Sequence, residues 1–351
     1  MSETIVYSAK KIITMNPSRP EATHVAVRDG RILGAGSLSE LQTWGDVRLD
    51  ERFKDKVLMP GFVEGHAHVM EGSLWSKVYC GWFDRADPGG KLWSGVKSVD
   101  AVVERLRAAE AALEDPAAAV SGWQLDPIYM DNITVTRADL DRVSTTRPVG
   151  VLHASGHIMN VNTKALELAG MMKTGHNHPG IPLGADGLPT GELKGPEVMT
   201  PVGPFVGFER NLLDADEAGL RNFAKLCVRT GTTTITDLAS RMDEDTVDMM
   251  LRVTSEPHYP IRLMPFRFFL GLSAPELVET VLAMKKRATD RLRLGQIKIV
   301  VDGSIQGFSA RLRWPGYHNG APNGLWYIAP EHLSELLHLA LEAGVQVHTH
   351  T

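Results

Sequence analysis

From residue 215 onward, helical and strand-like patterns take turns. Ala215 to Arg229 carries Leu220, Phe223, Leu226 and Cys227 on one helical face and is stopped by Gly231, and the β-branched run Thr232 to Ile235 reads as the next strand. Ile261 to Phe269 and Gln296 to Val301 are apolar strand candidates, separated by a helical Pro275 to Thr289. Pro330 to Ala343 then reads as a helix closed by Gly344, and Val345 to His350 as a final strand. Such alternation predicts a parallel sheet with helices outside it, most simply a TIM-type (β/α) barrel.

Upstream, the apolar run Val57 to Val63 resembles a buried parallel strand with an irregular entry at Pro60. Asp100 to Leu113 forms an amphipathic helix behind Ser98 or Asp100 as N-cap, and Val149 to Leu152 reads as a strand. The Gly/Pro-rich stretch Gly175 to Pro204 fits neither element and reads as a loop insertion over a site. Before residue 57, short strand-like runs flank the hairpin signal Asp29-Gly30, which predicts part of a small β-sandwich over residues 1–56 and the barrel over 57–351.

Composition narrows the function classes. The 37 basic and 42 acidic residues give a net charge of −5 with no Lys/Arg stripe, which argues against a nucleic-acid partner. Cys80 and Cys227 are too few and too distant for a disulfide framework or a thiolate zinc site, and no apolar stretch is long enough for a membrane span, so the reading is a cytoplasmic protein without a membrane partner.

Histidine placement points to chemistry. His66 and His68 follow the apolar strand at i, i+2, so on a strand both imidazoles face one cavity at its C-terminal end, where (β/α) barrels keep their active sites. Two polar loop residues would be the plain alternative. Lys298 lies between apolar neighbours in a parallel-strand pattern, where a buried lysine is either paired, here with Asp302 four residues on, or chemically altered. His176 and His178 repeat the i, i+2 spacing among Gly and Pro residues that enforce no common direction, so a solvated loop is their default.

The segments Val27 to Ile32 and Met59 to His68 resemble the opening of the metal-dependent amidohydrolase superfamily. Arg147-Pro148-Val149, Gly156-His157 with Asn160 and Asn162, Gly187 to Gly191, Lys298 with Asp302-Gly303-Ser304, and Tyr317 resemble its amidohydrolase 3 group, which includes N-substituted formamide deformylases. Glu64 stands where the superfamily more often has Asp. The resemblance implies a hydrolase of non-peptide carbon–nitrogen bonds, with a small amide or N-substituted formamide as substrate and a cyclic amidase or deaminase as alternatives. It further implies one or two divalent cations, zinc being the type, held by His66, His68 and His350 and bridged by a carbamylated Lys298. His157 would face the substrate, Asp302 would join Lys298 as a catalytic group, and His348, one pleat deeper than His350, would support the ligands. Thr232 to Thr234 with Asp237 matches the superfamily's third strand region, where Asp237 either lines the pocket or caps a turn. A complete enzyme of this kind needs a histidine on a sixth strand and an aspartate on an eighth. The sequence therefore reads as a barrel truncated after about its fifth strand, inactive alone. A homo-oligomer or a complementing C-terminal half would be its partner, with an inactive or regulatory fragment as the rival reading.

Overall fold

The computed structural model describes residues 3–131, 133–208, 215–303, 305, 310–318, 320–324 and 326–351. Ser304 of the resemblance lies outside them. The chain divides into two units, Met1–Val63 and Glu64–Thr351.

In the first unit, strands β1 (Thr4–Ile13), β2 (Glu21–Arg28), β3 (Arg31–Gly36) and β4 (Val47–Leu58) form one sheet in the order β3-β2-β1-β4. The β2–β3 hairpin turns at Asp29 and Gly30 with φ of 51° and 72°, the left-handed pair a tight hairpin needs. Strands β1 and β4 run parallel. Val6, Ala26 and Leu41 form a small core, the last on a short helix, Leu38–Gln42, closed by a Ser37–Glu40 capping box. Among the described residues this is a single mixed sheet with a helix against it, where the sequence suggested a sandwich.

In the second unit, strand β5 (Phe62–Ala67, its first two residues belonging to the first unit) is followed by a long excursion before the next strand of its sheet. The excursion builds its own sheet from β6 (Val78–Tyr79), β9 (Val120–Leu125), β10 (Val149–His153), β11 (Ile158–Val161) and β12 (Glu192–Lys194), in the order β12-β11-β10-β9-β6. A small hairpin, β7 (Arg85–Ala86) and β8 (Leu92–Trp93), lies between β6 and β9 in sequence. Strands β6, β9 and β10 are parallel, and β11 and β12 return antiparallel. Two sequence expectations change here. Val149 to Leu152 belongs to this separate sheet, and the segment Gly175 to Pro204 contains β12 and the short helix Pro196–Met199. Periodicity reveals a buried strand but not which sheet receives it, and β12 is too short to give a pattern.

The remaining strands, β13 (Thr232–Ser240), β14 (Arg262–Phe268), β15 (Gln296–Val300) and β16 (Val347–His350), complete the order β16-β15-β14-β13-β5. The pairs from β13 to β16 are parallel. Three intervening helices, Glu217–Thr230, Ala274–Lys285 and Pro330–Glu342, lie near the places expected from the sequence, while Glu244–Thr254 between β13 and β14 was not expected; Asp216 caps the first through the Gly219 amide, and Gly231 ends it at φ 74°. Thr232 thus opens the second strand of this sheet rather than the third. The Val57 to Val63 run is split by Pro60-Gly61 between β4 and β5, and Phe62 and Val63 are exposed on the outermost strand.

The sheet is strongly curled. Four interstrand steps of roughly 4.8 Å would put β5 and β16 about 19 Å apart on a flat sheet. Yet the His66 and His348 rings, one from each outer strand, lie 5.6 Å apart. Inward side chains from opposite edges meet across the concave face, the geometry of a half-barrel.

Candidate active site

Residues from the end of β5, the middle of β15 and along β16 form the cluster. In the β15–β16 register Lys298 stands beside His348 and Val300 beside His350, so Lys298 and both histidines share one face. Lys298 is 2% exposed, and its Nζ donates to His348 Nδ1 at 3.1 Å. The His66 ring sits edge-on between two others, 5.3 Å from His68 and 5.6 Å from His348. His350 Nε2 donates to the Gly303 carbonyl at 3.2 Å.

Two further contacts fix the His66–His68 segment. Asp237, buried on β13, accepts from the Val69 amide at 3.2 Å, so it anchors the turn after His68. Behind that turn the helix Glu71–Leu74 packs directly on the helix Glu217–Thr230: a Cβ on Gly72 would stand 1.9 Å from the Gly219 carbonyl oxygen. Only glycine permits this approach.

Burial lowers the pKa of His66, aided by Lys298 and His350, and pushes His68 down to about 4, aided by His66, Lys298 and His157. Burial also depresses His157 and His348, with His350 adding to both and Lys298 and His66 to His348. Burial alone brings Lys298 down to about 8. These groups share one electrostatic neighbourhood in which neutral imidazoles are favoured.

Each site residue expected from the sequence can now be located. His66, His68, Lys298 and His350 are brought together, and His348, assigned only a supporting place, contacts both Lys298 and His66. His157 comes from the other sheet, following β10; its backbone carbonyl accepts from Gly195 at 2.8 Å, and its ring lies within electrostatic reach of His68 and His350. Asp302 does not pair with Lys298. Its Oδ2 accepts from the Arg311 amide at 2.7 Å, while its buried Oδ1 finds no partner among the described residues. His176 bonds the Met171 carbonyl and His178 lies beside Glu197, away from the cluster in hydrogen bonding. The contacts of His348 and Asp237 escaped the sequence because they depend on strand register and on a bond spanning 168 residues.

The donor chemistry fits a divalent metal, since neutral imidazoles and an amine of depressed basicity offer nitrogen lone pairs of the kind zinc-like cations take. Among the described residues no three His, Cys, Asp or Glu side chains converge as a closed coordination group; the rings pack edge to face instead.

A curled parallel sheet with clustered imidazoles and a buried lysine on its concave face defines an α/β half-barrel, and comparison with known proteins gives its family. Residues 54–351 match the Amidohydro_3 amidohydrolase family, to which the chain belongs. It is 28% identical over 352 residues to Protein LONG AFTER FAR-RED 3 of Arabidopsis thaliana, covering 97% of this chain and 57% of that protein. It is 27% identical over 358 residues to the putative amidohydrolase YtcJ of Bacillus subtilis (strain 168), covering 97% and 61%. The chain therefore spans about three fifths of the length of these relatives. Among solved structures, uncharacterized metal-dependent hydrolases of Pyrococcus horikoshii OT3 and Pyrococcus furiosus share the fold, with TM-scores of 0.67 and 0.65 at 16% and 18% identity. Both matches cover 99% of this chain, and 65% and 67% of those chains. Among the described residues no helix is long and apolar enough to cross a membrane.

Proposed function

We propose that the protein is, or forms part of, a metal-dependent hydrolase of non-peptide carbon–nitrogen bonds, with a small amide or N-substituted formamide as substrate. The observation that carries this reading is Lys298, buried in the middle of the parallel strand β15, paired with His348 and set in the electrostatic neighbourhood of His66, His68 and His350. Family membership and the titles of the structural neighbours support metal dependence and hydrolysis.

His66, His68 and His350 would hold one or two divalent cations of the zinc type, and such a cation supplies Lewis acidity, polarising a carbonyl and lowering the pKa of water. The chain's own residues prepare the site. Because His350 Nε2 carries the proton donated to Gly303, its Nδ1 keeps the free lone pair. In the unmodified protein Lys298 holds His348 with Nδ1 as acceptor. A carbamate on Lys298, formed from the neutral amine and carbon dioxide with loss of a proton, would keep one N–H to donate to His348 Nδ1 and would add oxygen donors for a cation. Asp237 keeps the His66–His68 segment in place through Val69, and His157 borders the same neighbourhood from the excursion sheet. The free, buried Cys80 and Cys227 suit a reducing, cytoplasmic setting.

The test is hydrolysis of a panel of N-substituted formamides by the metal-analysed full-length enzyme, since the 351-residue chain by itself should show no turnover. His66→Ala should abolish turnover, and His157→Ala should lower it without changing metal content. Turnover unaffected by His66→Ala would overturn the reading.

A further inference from the structure

The excursion sheet has a site of its own. Its strands β6, β9 and β10 run parallel, and at the carboxyl ends of β6 and β9, the edge at which open parallel sheets receive ligands, lies a pocket of about 220 Å³. His157 follows β10 at the same edge.

Four rings line the pocket, those of Tyr79, which is buried, and of Trp82, Phe83 and Tyr129. Tyr129 stacks on Trp82 at 5.8 Å and meets Phe83 edge-on at 5.1 Å, and both Phe83 and Tyr129 remain about half exposed. Two charged residues line it. Arg85 is committed: it donates to Glu71 at 2.7 Å and lies over the Trp75 and Trp123 rings. Asp126 is not, for although it precedes the turn Pro127–Met130 its carboxylate makes no cap bond, and among the described residues it forms no side-chain hydrogen bond or ion pair. Nearby, Asp84 accepts from the Gly95 amide, and the Lys97 ammonium, which donates to the Trp82 carbonyl, already rests 4.3 Å from the Trp82 centroid and 5.7 Å from the Phe83 centroid, so a ligand cation would have to share or displace it.

The backbone at this point is specialised. The β9–β10 register slips between Trp123 and Leu125, leaving Gln124 as a bulge residue with φ 71°. A glutamine in the left-handed region is strained, and bulges of this kind re-aim side chains beside functional sites. Gln124 lines the pocket, and its amide makes no hydrogen bond among the described residues.

We propose that this pocket binds the ammonium head of a small organic cation, with Asp126 as counter-ion, the Gln124 amide beside it and Trp82, Phe83 and Tyr129 as walls. Electron-rich ring faces together with an uncommitted carboxylate are the chemistry that selects such groups over neutral or anionic ones. The size suits a head group of a few heavy atoms.

The experiment uses the purified chain at constant ionic strength, titrated with choline and, separately, with its neutral isostere 3,3-dimethylbutan-1-ol, with tryptophan fluorescence as readout. Choline should quench with a saturable isotherm and bind at least ten-fold more tightly than the alcohol. Asp126→Asn should erase that preference while circular dichroism stays unchanged, and Tyr129→Ala should weaken choline binding. Equal binding of choline and the alcohol by the unaltered chain, no saturable binding of choline, or full choline affinity in Asp126→Asn would each overturn the proposal. The readout involves neither metal nor hydrolysis, so its failure leaves the hydrolase reading untouched, and the reverse.

Discussion

Replacing Asn162 with alanine should be among the most damaging single changes in the excursion sheet. Asn162 is wholly buried and uses its entire amide. Its Oδ1 accepts from Val149 at the start of β10 and from Ala165 in the first turn of the helix Thr163–Leu168, both at 3.0 Å. Its Nδ2 donates to the carbonyls of Ser144 at 2.8 Å and Arg147 at 2.9 Å. Alanine leaves two backbone N–H groups without that acceptor, at about 1.5 kcal/mol each, and two carbonyls that keep a second lone pair, at about 0.5 kcal/mol each, for a total of about 4 kcal/mol. Serine can restore the cap to Ala165 but not the bonds to Ser144 and Arg147, so Asn162→Ser should recover about 1 kcal/mol. Urea unfolding gives the total, and hydrogen exchange at the Val149 and Ala165 amides shows where it is lost, because both should exchange faster than amides of β13 to β15. A loss below 1 kcal/mol with Val149 still protected would refute this account of how β10 is held.

Two other changes test positioning and pH response. Gly72→Ala forces a Cβ against the Gly219 carbonyl, so it should destabilise the protein by about 2 kcal/mol or more and loosen the segment carrying His68, read as a lower unfolding midpoint and altered His68 ring signals in NMR spectra. His153 is buried against Asn160, and burial lowers its pKa; the unfolded chain therefore takes up a proton as pH falls through about 6.5 while the folded chain resists until lower pH. Its contribution to stability is complete above that pH and is lost below it, so His153→Gln should flatten the decline in stability between pH 7 and 5, and an unchanged slope would count against it.

Much of the half-barrel could be read from residues alone because its signals are local. Gly231 stops one helix by capping chemistry, Lys298 lies inside an apolar strand, and His350 sits where the last strand ends. The excursion sheet was less legible. Val149 to Leu152 is apolar in the way any buried strand is, and its partners, β9 and β11, are set by contacts no periodicity encodes. At the site, His66 and His68 announced themselves by spacing. His348 shares that spacing with His350 and Asp237 was singled out as well, but their partners, the Lys298 amine and the Val69 amide, are distant in sequence and could not be read from it. Asp126 and Gln124 left no signal, because a bulge is visible only when two strands are laid side by side.

The central claim is that histidines from opposite edges of one curled sheet, together with Lys298, form a single metal site. Titrating metal-stripped protein with Co²⁺, followed by visible absorption and elemental analysis, tests it most directly. The account predicts at least one tightly bound ion per chain, lost in His66→Ala and weakened in both Lys298→Met and His348→Ala, with the double variant His176→Ala/His178→Ala unaffected. Retention of the ion by His66→Ala, or its loss only in the His176/His178 variant, would contradict it.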